Sequence, residues 1–85
     1  MFWSNKCFLY GKIVTKVEFK FIIGGINKSI CKFKLELLNG SIINIKCYDL
    51  LADEIYKTLN ENMYICLAGR LDSAGECVLY EYEIL

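Results

Sequence analysis

Residues 8–23 alternate in polarity. Ile13, Thr15, Val17, Phe19, Phe21 and Ile23 fall on one side, and Lys12, Lys16, Glu18 and Lys20 on the other. A period of two marks a half-buried strand, here an unusually long one. Gly11, near its start, permits the bulge or sharp coil that a long strand needs in order to curve. Gly24-Gly25 and Asn27 then break the pattern. Alternation resumes with Cys31, Phe33, Leu35 and Leu37 against Lys32, Lys34 and Glu36. Asn39-Gly40, a strong hairpin signal, leads into Ile43, Ile45 and Cys47 against Asn44, Lys46 and Tyr48. The three runs predict an antiparallel meander.

The period changes after Tyr48. Leu51, Ile55 and Leu59 recur at helical spacing with Ala52 and Tyr56 beside them, and Asp49 is placed to cap the first turn. Asp53 and Glu54 sit early and Lys57 late, as the helix dipole prefers. Asn60-Glu61-Asn62 ends the helix. Met63, Ile65, Leu67 and Leu71 then read as a fourth strand, with Gly69 at a bulge, and Ser73-Ala74-Gly75 as a tight turn. Residues 77–84 form the fifth strand, with Val78, Tyr80 and Tyr82 alternating against Leu79, Glu81 and Glu83.

The predicted order is three strands, one helix and two strands. A lone helix in that place plugs the open end of a small closed barrel. With a coiled, glycine-bent first strand shared by both sides, this is an all-β, five-stranded OB-fold barrel with one α-helix between strands 3 and 4. The whole of residues 1–85 is read as a single domain. A chain of this length buries only roughly 60–65% of its unfolded surface. Its 55% apolar content therefore favours a well-filled core, or a core plus an interface.

Two segments also resemble a family. "FLYGKI" at 8–13 resembles the opening strand of the bacterial single-stranded DNA-binding proteins: an apolar run, a glycine and an apolar continuation. "YDLLADEIYKTLNENMYICLAGRL" at 48–71 is similar to that family's aromatic–x–x–Leu–Ala–Glu helix and the following strand ending in Gly–x–Leu. Tyr48 holds the aromatic position, which the resemblance makes a base-stacking one; it implies an oligomer as well. The chain departs from the family pattern in Glu61-Asn62, where the family has Lys-Gly, and in the short aromatic-free loop DSAGE. It stops at Glu83-Ile84-Leu85 without an acidic tail, so a short relative similar to primosomal, phage or plasmid versions is expected.

Charge gives the pattern a direction. The net charge is zero, yet residues 1–48 carry a balance of +6 and residues 49–85 a balance of −6. Such segregation points to an anionic partner for the first half. The outward side of strands one to three holds Lys12, Lys16, Lys20, Lys32, Lys34 and Lys46, against Glu18 and Glu36. Cations that track phosphates, with flat side chains that stack on bases, are what a single strand requires. Lys12, Lys16, Lys32, Lys34, Lys46 and Arg70 are the expected phosphate ligands and Tyr48 the stacking residue. Lysine on the solvent side of a strand also guards an edge against aggregation, which is the competing explanation.

Catalysis finds little support. There is no histidine, no paired-carboxylate motif and no phosphate loop. Cys7, Cys31, Cys47, Cys66 and Cys77 form no C-x-x-C and read as reduced core residues, so no metal and no cofactor are expected. No leader and no apolar run long enough to span a bilayer is found, and a cytoplasmic protein without a membrane is expected. Phe19, Phe21 and Phe33 are in phase with core aliphatics, while Tyr80 and Tyr82 stay open between core and interface. Phe2 and Trp3 are open between a frayed end, a seal on the barrel and a handle for a partner.

The expected function is binding of single-stranded nucleic acid, chiefly DNA, with little sequence preference, by a homo-oligomer working with replication proteins in replication, recombination or repair. The alternative is an OB module that binds proteins or oligomerises without touching nucleic acid; Val14 and Ile22 on the outward side of strand one suit a covered strand.

Overall fold

The computed structural model describes residues 6–24 and 28–85; Phe2, Trp3, Gly25 and Asn27 lie outside them. Six strand segments and one helix follow in the order β1 (Lys6–Ile13), β2 (Glu18–Ile22), β3 (Lys28–Leu37), β4 (Ile42–Tyr48), α1 (Asp49–Thr58), β5 (Tyr64–Leu71) and β6 (Cys77–Ile84). Neighbouring strands run β1-β5-β6-β4-β3-β2, and an added β1–β3 pairing closes the sheet into a barrel. β1 and β2 are the two halves of the single long strand predicted from residues 8–23. The break at residues 14–17 is where that strand bends across the sheet. The Val14 amide donates to the Lys34 carbonyl (3.0 Å), and the Lys34 amide to Thr15 Oγ1 (2.9 Å), which fastens the bend to β3. The five-stranded OB-type barrel and its single helix are therefore present as predicted.

Closure depends on Gly11. It stands in register with Leu37 of β3 on one side and Ile65 of β5 on the other. A Cβ at this position would lie 2.3 Å from the Glu36 carbonyl oxygen. Only glycine lets the two backbones approach this closely. The Asn39-Gly40 hairpin is also present. The Gly40 amide donates to the Leu37 carbonyl (2.9 Å), and Gly40 takes φ +88°, a type I turn completed by a left-handed residue.

The helix caps the barrel as expected, burying Ala52, Ile55 and Leu59 with Ile13, Phe33, Leu35, Ile45, Ile65, Leu67 and Leu79. Its N-cap is Tyr48 and not Asp49, which lies inside the first turn at φ +59°. Tyr56, expected beside the core set, is half exposed. Cys31, Cys47 and Cys77 are fully buried, all five thiols are free, and Cys7 Sγ lies 3.3 Å from Cys77 Sγ. Burial pushes the Cys77 thiol up to about 12, which suits a core residue and not a nucleophile.

Two expectations about aromatics need correction. Phe19 and Phe21 do point to the core side, in register with buried Cys31 and Ser29. They are nonetheless 36% and 51% exposed. The β3–β4 ladder ends at Ile30↔Tyr48, so the tip of the β2–β3 hairpin extends past the barrel and its inward side has little to cover it. In β6 the alternation does not run straight through. Ala68 pairs with Glu81 but Gly69 with Leu79, which leaves Tyr80 as the extra residue of a bulge. Cys77 and Leu79 are buried before the bulge; after it, Tyr82 is the residue packed on the core. Tyr80 therefore points outward and Tyr82 inward, where its hydroxyl donates to Glu54 Oε2 of α1 (2.5 Å). The irregularity falls at Gly69, as the sequence predicts. Among the described residues no helix is long and apolar enough to cross a membrane.

Candidate nucleic-acid interface

Cross-strand partners in a sheet point to the same side, so the ladders define which outward residues stand together. One row runs Glu18–Lys32–Lys46–Val78–Arg70–Lys6, across β2, β3, β4, β6, β5 and β1. At about 4.8 Å per strand, Arg70 lies roughly 14 Å along the surface from Lys32. A parallel row holds Lys20, Ile30 and Tyr48. Lys34 faces Asn44 on the other flank. A groove beside these rows is lined by Lys16, Lys32, Lys34 and Asn44, with Glu18 and Glu76 also in its wall.

The barrel thus gathers Lys16, Lys32, Lys34, Lys46 and Tyr48 on one side, with Arg70 further round the same row. Lys12 stands apart. It is half-buried where β1 crosses β3, with Glu36 and Tyr64 as its cross-strand neighbours. It therefore lies away from the Lys16–Lys32–Lys34 groove.

Lys46 is also engaged. Its ammonium lies 2.6 Å from Asp72 Oδ2 and 3.0 Å from Glu76 Oε1, both in the turn between β5 and β6. These hydrogen bonds, that to Asp72 first, hold the lysine well above its usual range. The same contact to Lys46 holds the Asp72 carboxyl below its usual range, helped by the Glu76 and Ala74 amides. Among the described residues no carboxylate lies within ion-pair distance of Lys16, Lys32 or Lys34. Arg70 places its guanidinium 6.0 Å from the centre of the Tyr80 ring, a cation–π arrangement.

Sequence reasoning missed three features of this surface. The acids that hold Lys46 sit in a distant turn, and nothing local to Lys46 signals them. Tyr80 over Arg70 depends on the β6 bulge. Phe19 meets Tyr56 of the helix, ring centres 4.9 Å apart, because both escape the core.

A second surface lies on the outer side of β1, β5 and β6. Phe8, 79% exposed, shares a row with Ala68 and Glu81, and Tyr10 one with Cys66 and Glu83. Tyr10 and Tyr64 stack with ring centres 6.4 Å apart. The charged neighbours of this surface are mixed: Glu81 and Glu83 on β6, and Lys12 in register with Tyr64.

No protein-family model matches this sequence, and no curated protein sequence does. Solved structures do match. The chain superposes on the single-stranded DNA-binding domain of a Synechococcus protein with a TM-score of 0.80 at 14% identity, covering 98% of both chains. The mitochondrial single-stranded DNA-binding protein of S. cerevisiae gives a TM-score of 0.78 at 15% identity, over 100% of this chain and 97% of the other. The second single-stranded DNA-binding protein of Mycobacterium smegmatis gives 0.76 at 14% identity, over 96% and 89%. The fold of this chain is thus the OB barrel found in single-stranded DNA-binding domains.

Proposed function

We propose that this protein binds single-stranded nucleic acid, chiefly DNA, with little sequence preference, in replication, recombination or repair. The observation that carries the reading is the row of Lys32, Lys46 and Arg70 across an OB barrel, with Lys16 and Lys34 lining the groove beside it. The three similar structures are described as single-stranded DNA-binding, which supports the same reading. Lys16, Lys32, Lys34 and Arg70 hold phosphates, and Tyr48 stacks on a base. A phosphate has to compete with Asp72 and Glu76 for Lys46, and Lys12 is half-buried away from the groove, so those two contribute less. Charge and stacking are blind to base identity, which is why little sequence preference follows. The role is binding without catalysis or cofactor, in the cytoplasm, in concert with replication proteins.

The test is fluorescence anisotropy of a labelled thymine oligonucleotide at low and moderate salt. Binding that weakens steeply with salt is expected, with the slope reporting the number of phosphate contacts. Tyr48→Ala with Lys34→Glu weakens it; an unchanged affinity in that double variant overturns the site assignment.

The exposed Phe8, Tyr10 and Tyr64 favour a second role for the barrel. They suit a contact between copies of this chain on the β1–β5–β6 side, leaving Lys16, Lys32 and Lys34 free. If no oligonucleotide binds at any salt, that apolar side becomes the working surface and the partner is a protein.

A further inference from the structure

The cleft between the projecting β2–β3 hairpin and α1 adjoins the first surface, with which it shares Lys16 and Lys32. It is lined by Phe19, Ile30 and Tyr56 together with Lys16, Lys20 and Lys32. Two features set it apart from ordinary packing. First, Tyr56 is 52% exposed although it stands on the helix that caps the core, and Phe19 is exposed although it points inward. Their rings meet at 34° and present π-surface to solvent. Second, three lysines surround that surface against Glu18 alone, and among the described residues none of the three is held in an ion pair. A purely structural aromatic pair needs no such ring of cations.

We infer that this cleft is a second base-stacking subsite, which takes one nucleobase of a bound single strand against Phe19 and Tyr56 while Lys16, Lys20 and Lys32 hold the flanking phosphates. The inference rests on the single-strand reading and extends it. The occupant follows from charge and shape together. Anions are drawn by the lysines, and a flat, π-faced group suits the aromatic wall, which a carboxylate side chain of an acidic peptide does not. Ile30 joins the two stacking positions. It lines the cleft and is the cross-strand partner of Tyr48, and its other partner is Lys20. A strand leaving Tyr48 across β3 reaches the cleft by turning over the β2 edge, since Lys20 and Ile30 face outward and Phe19 faces the helix side. The path is longer than Tyr48 alone implies, and it runs toward the helix and away from the β5–β6 turn, whose acids repel it.

The experiment compares a labelled thymine oligonucleotide with a strand of equal length built on abasic sites. The proteins are the wild type, Tyr56→Leu, Tyr56→Phe and the Tyr48→Ala/Lys34→Glu double variant. Tyr56→Leu keeps the apolar cover over Phe19 but removes the π-face. It is expected to lose about 5-fold or more in affinity for the thymine strand and little for the abasic one. Tyr56→Phe retains wild-type binding. As a second readout, irradiation of a 5-bromouracil strand on wild-type protein is expected to give a crosslink at Tyr56 or Phe19. Equal thymine affinity in wild type and Tyr56→Leu, with no such crosslink, overturns the cleft while leaving the wider reading intact if the double variant is weakened. Equal losses on thymine and abasic strands reduce the cleft to a charge contact and also overturn it. A wild type that binds neither strand overturns both readings, and an acidic peptide then becomes the occupant to try.

Discussion

The Lys46 ammonium lies 2.6 Å from the Asp72 carboxylate, so the turn between β5 and β6 is fastened to the middle of β4 by a charge that strand alternation alone presents as free. With Glu76 the cluster carries more negative than positive charge. It marks the boundary of the basic surface.

Asp72→Asn should therefore tighten oligonucleotide binding. The substitution keeps an acceptor for the Ala74 and Glu76 amides, so the turn survives. It releases Lys46 toward phosphate and removes a repelling charge. Anisotropy titrations are expected to show a modest gain in affinity and a salt slope steeper by up to about 0.7, the value for one further single-strand contact. Weaker binding in this variant would mean that Lys46 serves only to hold the turn.

The same pair gives a pH dependence. The Asp72 carboxyl is held below its usual range in the folded protein by Lys46, so the stabilisation is present above the ordinary carboxylate range. It is lost as pH falls through the lowered value, where the folded-state carboxylate takes up its proton. Lys46 is raised, so its share is present up to ordinary lysine pKa values and is lost only in stronger alkali. Thermal melts of wild type and Asp72→Asn should differ at neutral pH and converge in acid. Asp72 remains partly open to solvent, which keeps the difference small.

Gly11→Ala should destabilise the barrel by about 1–3 kcal/mol or more, because the new methyl group meets the Glu36 carbonyl at 2.3 Å, a backbone atom with nowhere to move. Gly24→Ala is the control. Nothing lies within 4 Å of the Cβ it adds, so its urea midpoint should stay close to that of wild type. Equal midpoints in the two variants would place the closure of the barrel elsewhere.

Tyr82→Phe removes the hydroxyl that joins β6 to Glu54 of the helix. A loss of about 0.5–1.5 kcal/mol is expected, toward the lower end because the bond is exposed. Burial, and then the Glu54 contact, raise the Tyr82 phenol in the folded state. Its contribution is therefore complete below the ordinary tyrosine pKa and fades as pH rises through the higher one. Denaturation of the two proteins at neutral and at alkaline pH tests both statements.

Phe8→Asp and Tyr64→Asp should dissociate any assembly of this chain without unfolding it, because both side chains lie on the outer surface. Sedimentation at several concentrations is the measurement. Identical sedimentation of both variants and wild type would remove the β1–β5–β6 side from the list of interfaces.

Local pattern was enough for the order of elements, for the outward lysines, for the Asn39-Gly40 hairpin and for the irregularity at Gly69. Each is a matter of period or of backbone freedom within a few residues. The tertiary structure decided what alternation cannot. Phe19 and Phe21 point inward yet are exposed, because β3 outruns β4 and the hairpin tip has little beneath it. Tyr80 and Tyr82 part company because one extra residue in β6 shifts the phase of everything after it. Lys12 and Lys46 were legible as outward cations, but their acidic neighbours come from other strands and turns, brought near by barrel closure. Alternation reports the side a residue faces; only the folded chain determines what stands on that side to meet it.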